Sequence, residues 1–473
     1  MTLREFIKSF SFYGFLPVFT KFAGFLLVPV YVRVLSQSDY GVAELILSVV
    51  GFLTYVINLE FYGAVGRFFF DRESLRGRQK LISTGLYLTL ASALVIATLA
   101  LVFQDSAHAL LFPRGNYLPE LRLGLLWAVI SAVSTYLSIL PRYEKKAGRF
   151  VLFNVITVLV KLLSTVLFVV ALRMGIKGIL WGHICGASCS TALYALSSRK
   201  FLVLDFSWLE ASEIGRFSLP LVPGILLIAL YQPLMRTLIS RVYDLEALAL
   251  FSFAYRITTI MALVESGIRL SWRPLLYENI RKASFGNEYV RISRFAGTLL
   301  LLLGILIICM ARELVLLIGT RQYLGSLYII GFLVVSNILT NLDSLRGFGF
   351  EVAKKTYMIT IIHVSSRALG LLFLWQVASR FQLSGIGIAL LIPPLLDYLV
   401  KVSYTKKRIG VSTFSGQEAL LWLLVAGAVI MSLLQAHLIL RLLTVMVALA
   451  GAVPYKQLPY LLKRFQTFWT AKP

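Results

Sequence analysis

Residues 15–29 read FLPVFTKFAGFLLVP, a stretch suited to hydrocarbon that carries one cation, Lys21, near its centre. A helix needs about 20 mostly apolar residues to cross a bilayer. Stretches of that length recur along the chain, separated by short clusters of Arg, Lys, Pro and Gly. Fourteen can be placed, over 11–32, 42–62, 81–103, 122–140, 151–172, 178–197, 217–239, 247–272, 295–317, 326–345, 357–378, 384–400, 417–436 and 438–455. With 58% hydrophobic residues and a mean hydropathy of +0.82, the chain has more apolar surface than a soluble domain can use. The expected fold is therefore an all-α integral membrane protein of about 14 transmembrane helices.

Arg4 and Lys8 precede the first apolar run, which is too long for a cleaved signal and reads as an uncleaved span. Cys185, Cys189 and Cys309 all fall inside spans, so neither a disulfide framework nor a metal cluster is expected. No cofactor is called for.

The net charge of +24 suggests nucleic acid only until the cations are located. Numbering the loops alternately from the N-terminus, and counting span-end cations with the adjoining loop, puts 30 Lys and Arg on one side and 10 on the other. That bias predicts two cytoplasmic termini in a cytoplasmic membrane, with the basic loops against anionic lipid headgroups. Nucleic acid is not expected as a partner.

Six of the 46 cations remain inside spans: Lys21, Lys161, Arg256, Arg269, Arg312 and Arg367. Arg312 lies near an outer helix end and can snorkel, and Arg269 can pair with Glu265 one helical turn earlier. Lys21, Lys161, Arg256 and Arg367 sit near the middles of spans 1, 5, 8 and 11. The acidic residues Glu44, Glu60, Asp343 and Asp397 read as lying nearer helix ends, out of reach. A midplane cation facing lipid costs roughly 2.5–3.5 kcal/mol. These residues are therefore expected to face a watery chamber that receives an anion.

An internal repeat supports such a chamber. Pro17 and Arg33 recur as Pro220 and Arg236, Arg67 as Arg273, Lys145-Lys146 as Lys354-Lys355, Gly178 as Gly387 and Arg199 as Arg408. The offset grows in small steps from 203 to 209, the pattern of one six-helix unit used twice. This predicts two pseudo-symmetric six-helix lobes, 1–200 and 201–410, around a central cavity, with 411–473 holding two further helices and a short cytoplasmic tail. Parallel repeats of this kind place substrate between the halves.

The stretches FLPVFTKFAGFLLVPVYVRVLSQSDYG (15–41), EFYGAVGRFF (60–69), GRFSLPLVPGILLIALYQPLMR (215–236) and ALFSFAYRI (249–257) resemble the polysaccharide-transporter branch, that of the Wzx-like flippases, of the multidrug, oligosaccharidyl-lipid and polysaccharide (MOP) exporter superfamily. The resemblance implies a flippase that moves undecaprenyl-pyrophosphate-linked oligosaccharide from the cytoplasmic to the outer leaflet by alternating access, for O-antigen, capsule or exopolysaccharide. It also implies membrane lipids and the polysaccharide polymerase or export machinery as partners. A cationic cavity between helices 1, 2, 7 and 8 would grip the pyrophosphate through Lys21, Lys161, Arg256, Arg367 and Arg269. Tyr13, Tyr31, Asn58, Tyr62, Gln232 and Tyr255 would meet the sugar, and the prenyl tail would stay in lipid beside helices 13 and 14. Pro17 and Pro220 would act as paired hinges. One departure stands out: members often carry Asp-Arg at the end of helix 7, where this chain has Met235-Arg236, so the acid that would pair with Arg236 is missing.

Two other functions are weighed. A cation-coupled multidrug exporter needs a buried protonatable carboxylate, and none reads as lying at midplane. A membrane glycosyltransferase or polymerase needs a sizeable outer loop with catalytic groups, whereas the longest, about 104–121, offers Asp105, His108, Arg114 and Glu120. RGFGF (346–350) follows a span rather than a strand and continues into no phosphate-binding loop. His183 and His363 read as packing residues, so the chain is not expected to be an enzyme.

Overall fold

A computed structural model describes residues 24–144, 146–261, 285–377 and 380–452, together with Trp272, Leu276 and Ile280. The proposed sites Tyr13, Pro17, Lys21 and Arg269 lie outside the described residues. All the regular secondary structure among the described residues is helical. Among the described residues, eleven helices are long and apolar enough to cross a membrane. Twelve of the expected spans coincide with a helix, and spans 1 and 8, which lie partly outside the described residues, overlap one in their described parts: α1 (Val28–Val34), α2 (Gln37–Asn58), α3 (Leu75–Val102), α4 (Leu118–Leu137), α5 (Ala147–Val166), α6 (Gly175–Ser197), α7 (Val222–Val242), α8 (Leu245–Thr258), α9 (Phe285–Cys309), α10 (Leu327–Arg346), α11 (Thr356–Val377), α12 (Gln382–Ile409), α13 (Gly416–Leu433) and α14 (Leu438–Ala452).

Local chemistry explains several boundaries. Ser36, Ser74 and Ser415 cap α2, α3 and α13, each hydroxyl accepting from a backbone N–H three residues on. α12 ends at Gly410, whose φ of +76° suits glycine, and Lys406, Lys407 and Arg408 complement the negative end of its dipole. α2 stops earlier than its hydropathy predicts. Leu59 and Glu60 both adopt left-handed backbone conformations, φ 41° and 61°, and Phe61–Phe69 forms a separate short helix.

The proline expectations change as well. Pro220 lies in a three-residue turn between the helix Trp208–Ser218 and α7, not within a helix. The proline inside α7 is Pro233, which removes one N–H from the ladder and so frees the carbonyl of Ala229.

The described residues fall into two compact units, one running to Phe253 with the short piece 374–377 grouped with it, the other from Ala254 onward. In the first unit, loops alternate between two ends as a multi-span chain requires. At one end, Arg72 bonds Glu210 and Glu213, Gln79 donates to the carbonyl of Lys200, and Lys200 pairs with Glu144. At the other, Arg241 donates to the carbonyls of Ala109 and Leu110 at 2.9 and 2.8 Å. The loops at the first end are those the charge count puts on the cation-rich side; those at the second belong to the opposite side. In the second unit, α9 packs on α10, α13 and α14, and α10 packs on α12.

Candidate functional site

The strongest polar feature of the first unit is a buried charge pair between α2 and α7. Arg236 is 7% exposed and Glu44 3%. The Arg236 guanidinium donates to Glu44 Oε2 at 3.0 Å and to Ser252 Oγ at 2.9 Å, while the Tyr40 hydroxyl donates to Glu44 Oε1 at 3.2 Å. The ring of Phe251 lies 5.7 Å from the guanidinium carbon. Gly41 makes this convergence possible, because a Cβ there would collide with the Leu245 carbonyl of α8. The missing acid at position 235 is thus replaced by Glu44 on another helix. This corrects the expectation that Arg236 lacks an acid.

In the second unit, Arg346 on α10 is fully buried. It makes a bidentate pair with Glu418 of α13 at 2.7 and 3.1 Å, and bonds Ser293 Oγ, the Ser293 carbonyl and the Tyr398 hydroxyl. Gly297 leaves the room, since a Cβ would sit 2.6 Å from the guanidinium. One turn earlier on α10, Asp343 pairs with Lys401 of α12. Between α11 and α12, Asp397 accepts from Ser366 Oγ at 2.6 Å and pairs with His363 Nδ1 at 2.7 Å, with Arg367 at 3.8 Å. Arg441 of α14 forms a bidentate pair with Glu313 at 2.9 and 3.0 Å and donates to the Cys309 carbonyl. Arg367 therefore does have an acid at its own depth, contrary to the sequence reading, and His363 is a hydrogen-bond partner of that acid as well as a packing residue.

The remaining expected site residues are dispersed. Lys161 is half-buried in the first unit, its aliphatic stem against Gly186 of α6. Arg256 and Tyr255, also half-buried, belong to the second unit. Tyr31 is buried with its ring 6.3 Å from that of Tyr40, at the start of α2, whereas Asn58 is buried at the other end of that helix. The 18 residues from Tyr40 to Asn58 span about 27 Å at 1.5 Å per residue, so Tyr31 and Asn58 cannot hold one sugar ring together. Asn58 donates to the Thr54 carbonyl, leaving its own side-chain oxygen buried without a partner. Tyr62 packs on the core cluster of the short helix Phe61–Phe69, and Gln232 is half-buried beside Pro233.

The charged pairs were missed in the sequence because their members are far apart in it. A signal was nonetheless present: an acid and a base in separate spans at similar depth, as with Glu44 and Arg236. Among the described residues, all five buried carboxylates, Glu44, Glu210, Asp343, Asp397 and Glu418, are bridged to a cation. No group of three or more potential metal ligands occurs among them.

A family of polysaccharide biosynthesis proteins matches residues 30–328, more than half of the chain, and the chain belongs to that family. Its fold is that of the MOP superfamily. An inward-facing multidrug resistance MATE family transporter of that superfamily aligns with a TM-score of 0.66 at 17% identity, over 82% of this chain and 94% of that one. Lipid II flippase MurJ, in an inward closed conformation, aligns with a TM-score of 0.66 at 12% identity, over 95% and 98%. A point mutant of the Vibrio cholerae MATE transporter VcmN aligns with a TM-score of 0.53 at 14% identity, over 86% and 97%. No curated protein matches the sequence.

Proposed function

We propose, from membership of the polysaccharide biosynthesis family, that this multi-pass membrane protein is a flippase for polyprenyl-pyrophosphate-linked oligosaccharide in cell-surface polysaccharide assembly. Family membership carries the reading. The side chains favour it over drug export, because a cationic drug needs an anionic bait, and each buried carboxylate among the described residues already holds a resident cation. A pyrophosphate makes the opposite demand: it cannot enter hydrocarbon bare, and Arg or Lys can replace its water. Lys161, Arg256 and Arg367 are only half-buried and so reachable by a solvated headgroup; Lys21 and Arg269 join them in the proposal. Two six-helix lobes, 1–200 and 201–410, would alternate access, with both termini cytoplasmic and with the polymerase or export machinery receiving the product.

The test is labelling of undecaprenyl-linked oligosaccharide on each face of vesicles with and without the protein. Protein-dependent appearance on the outer face is expected. An unchanged distribution, together with intact surface polysaccharide in a deletion strain, would refute the proposal.

A further inference from the structure

Two cavities of the first unit share Leu111 as a common wall. The lower one, about 260 Å³, lies among α2, α3 and α4 and is apolar throughout except at one edge. There Arg122, about one turn into α4, donates through Nε to Gln104 Oε1 at 2.9 Å, and its terminal nitrogens donate to no other described residue. The upper one, about 520 Å³, is walled by the start of α2, the loop before α4, the end of α7 and the start of α8, and mixes polar with apolar groups. Its volume is that of an ordinary ligand pocket, for which about 300–1,000 Å³ is usual.

The walls of the upper cavity are fixed. Arg241 is pinned to the carbonyls of Ala109 and Leu110, and Asp244 caps α8 by accepting from Ala247 N at 2.6 Å. Phe112 and Tyr117 pack with ring centroids 5.1 Å apart, and the Tyr117 N–H donates to His108 Nε2. Arg114, Glu246 and the Tyr117 hydroxyl have no hydrogen-bond or ion-pair partner among the described residues, and all three line the cavity. An aromatic surface edged by planar charged groups of both signs matches sugar hydroxyls.

An apolar groove with a guanidinium on its wall meets a cavity edged by polar and aromatic groups at Leu111, so the two together offer surfaces for a lipid tail, an anionic linker and a glycan. We infer that these two cavities form a single binding site for a lipid-linked saccharide, at the end of the first unit that the charge count places outside. The lipid tail lies in the groove, the phosphate linker meets Arg122, and the first sugars reach Arg114, Tyr117 and Glu246. The site is where a translocated lipid rests before release. It rests on the flippase reading and adds an outer-leaflet station separate from the midplane cations.

The test uses the full chain in nanodiscs of phosphatidylglycerol and phosphatidylcholine, with undecaprenyl-linked oligosaccharide extracted from the host strain and bare undecaprenyl pyrophosphate as probes, read by native mass spectrometry. Leu53→Trp, which fills the groove, and Arg122→Gln should each lower retention of both probes about tenfold. Tyr117→Ala should lower retention of the glycosylated probe alone. Equal retention by wild type and all three variants overturns the site, as does displacement of the glycosylated probe by phosphatidylglycerol at equal concentration, which would mark an ordinary phospholipid groove. Surface polysaccharide in a deletion strain separates the two readings. If export needs the protein but the variants retain lipid like wild type, the site alone falls; if export is independent of the protein, the transport reading falls with it.

Discussion

Glu418→Ala removes the only carboxylate, among the described residues, bonded to the fully buried Arg346, and the consequences can be worked out group by group. Two charge-assisted hydrogen bonds, at 2.7 and 3.1 Å, are lost. The guanidinium keeps Ser293 and Tyr398 as acceptors, but its charge stays in the protein interior without a counter-charge. Breaking a buried pair in this way costs about 3–5 kcal/mol, a large part of a total stability of about 5–15 kcal/mol. Removing both partners together, as Arg346→Met with Glu418→Leu, also removes the stranded charge. What remains is the loss of a donor to the Tyr398 hydroxyl, at about 1–3 kcal/mol for one unsatisfied group, because the Ser293 carbonyl lies inside α9 and keeps its place in the helix ladder. The double variant should therefore be more stable than Glu418→Ala by about 2 kcal/mol. The measurement is a double-mutant cycle on unfolding of the detergent-solubilised protein, followed by tryptophan fluorescence. A Glu418→Ala cost below about 1 kcal/mol, or a double variant less stable than either single one, would refute the reasoning about a stranded charge.

Other expectations follow from the same geometry. Arg256→Gln should abolish surface-polysaccharide export while the protein remains in the membrane at wild-type level, and Arg312→Gln, on an exposed side chain, should leave export near normal; equal effects of the two would remove Arg256 from the substrate path. Reporter fusions after residues 75, 147, 204 and 285 should all report cytoplasm, and an outer signal at any of them would break the assigned topology. Burial acts to raise the pKa of Glu144, but hydrogen bonds from Lys200 and Lys146 outweigh it and hold the carboxyl below its usual range. The stabilisation is therefore present above the ordinary carboxylate pKa and is lost as pH falls through the lowered one. With both lysines well exposed it amounts to at most about 1 kcal/mol. Melting from pH 7 down to pH 3.5 should show a shallower acid loss in Glu144→Gln, and parallel curves would remove the pair from the acid response.

The number and order of helices were legible because hydrocarbon imposes a length that any window of sequence reveals. What escaped detection depends on atoms far apart in sequence or on single backbone angles. The end of α2 is set by Leu59 and Glu60 turning left-handed, which hydropathy does not register. Pro220 reads as a helix-interior proline because apolar residues surround it, yet it occupies a turn, while Pro233, thirteen positions on, is the one inside α7. Arg346 sits one residue past an apolar run and so counts as a loop cation, although it is wholly buried. Arg236 finds its acid 192 positions away. The same separation hides the two cavities that meet at Leu111, whose walls come from different spans and the loops between them.

These placements divide the deep charges into two populations. Arg236, Arg346 and Lys401 are at least nine-tenths buried and each meets a carboxylate of its own unit, so each of these pairs is close to neutral as seen from a distance. Such pairs fix helices against one another and present little field to a visitor. Lys161, Arg256 and Arg367 are half-covered, and Arg367 shares Asp397 with His363 at a looser 3.8 Å. A guanidinium at that distance can exchange its carboxylate for a phosphate oxygen at lower cost than Arg346, which would have to break two short bonds inside a dry core. On the proposed function, the field that an anionic headgroup would experience comes from the half-covered cations, while the buried pairs fix helices within each unit. Neutralising the half-covered cations should stop export without unfolding the protein, and breaking the buried pairs should do the reverse, lowering stability first and export only through the loss of folded protein.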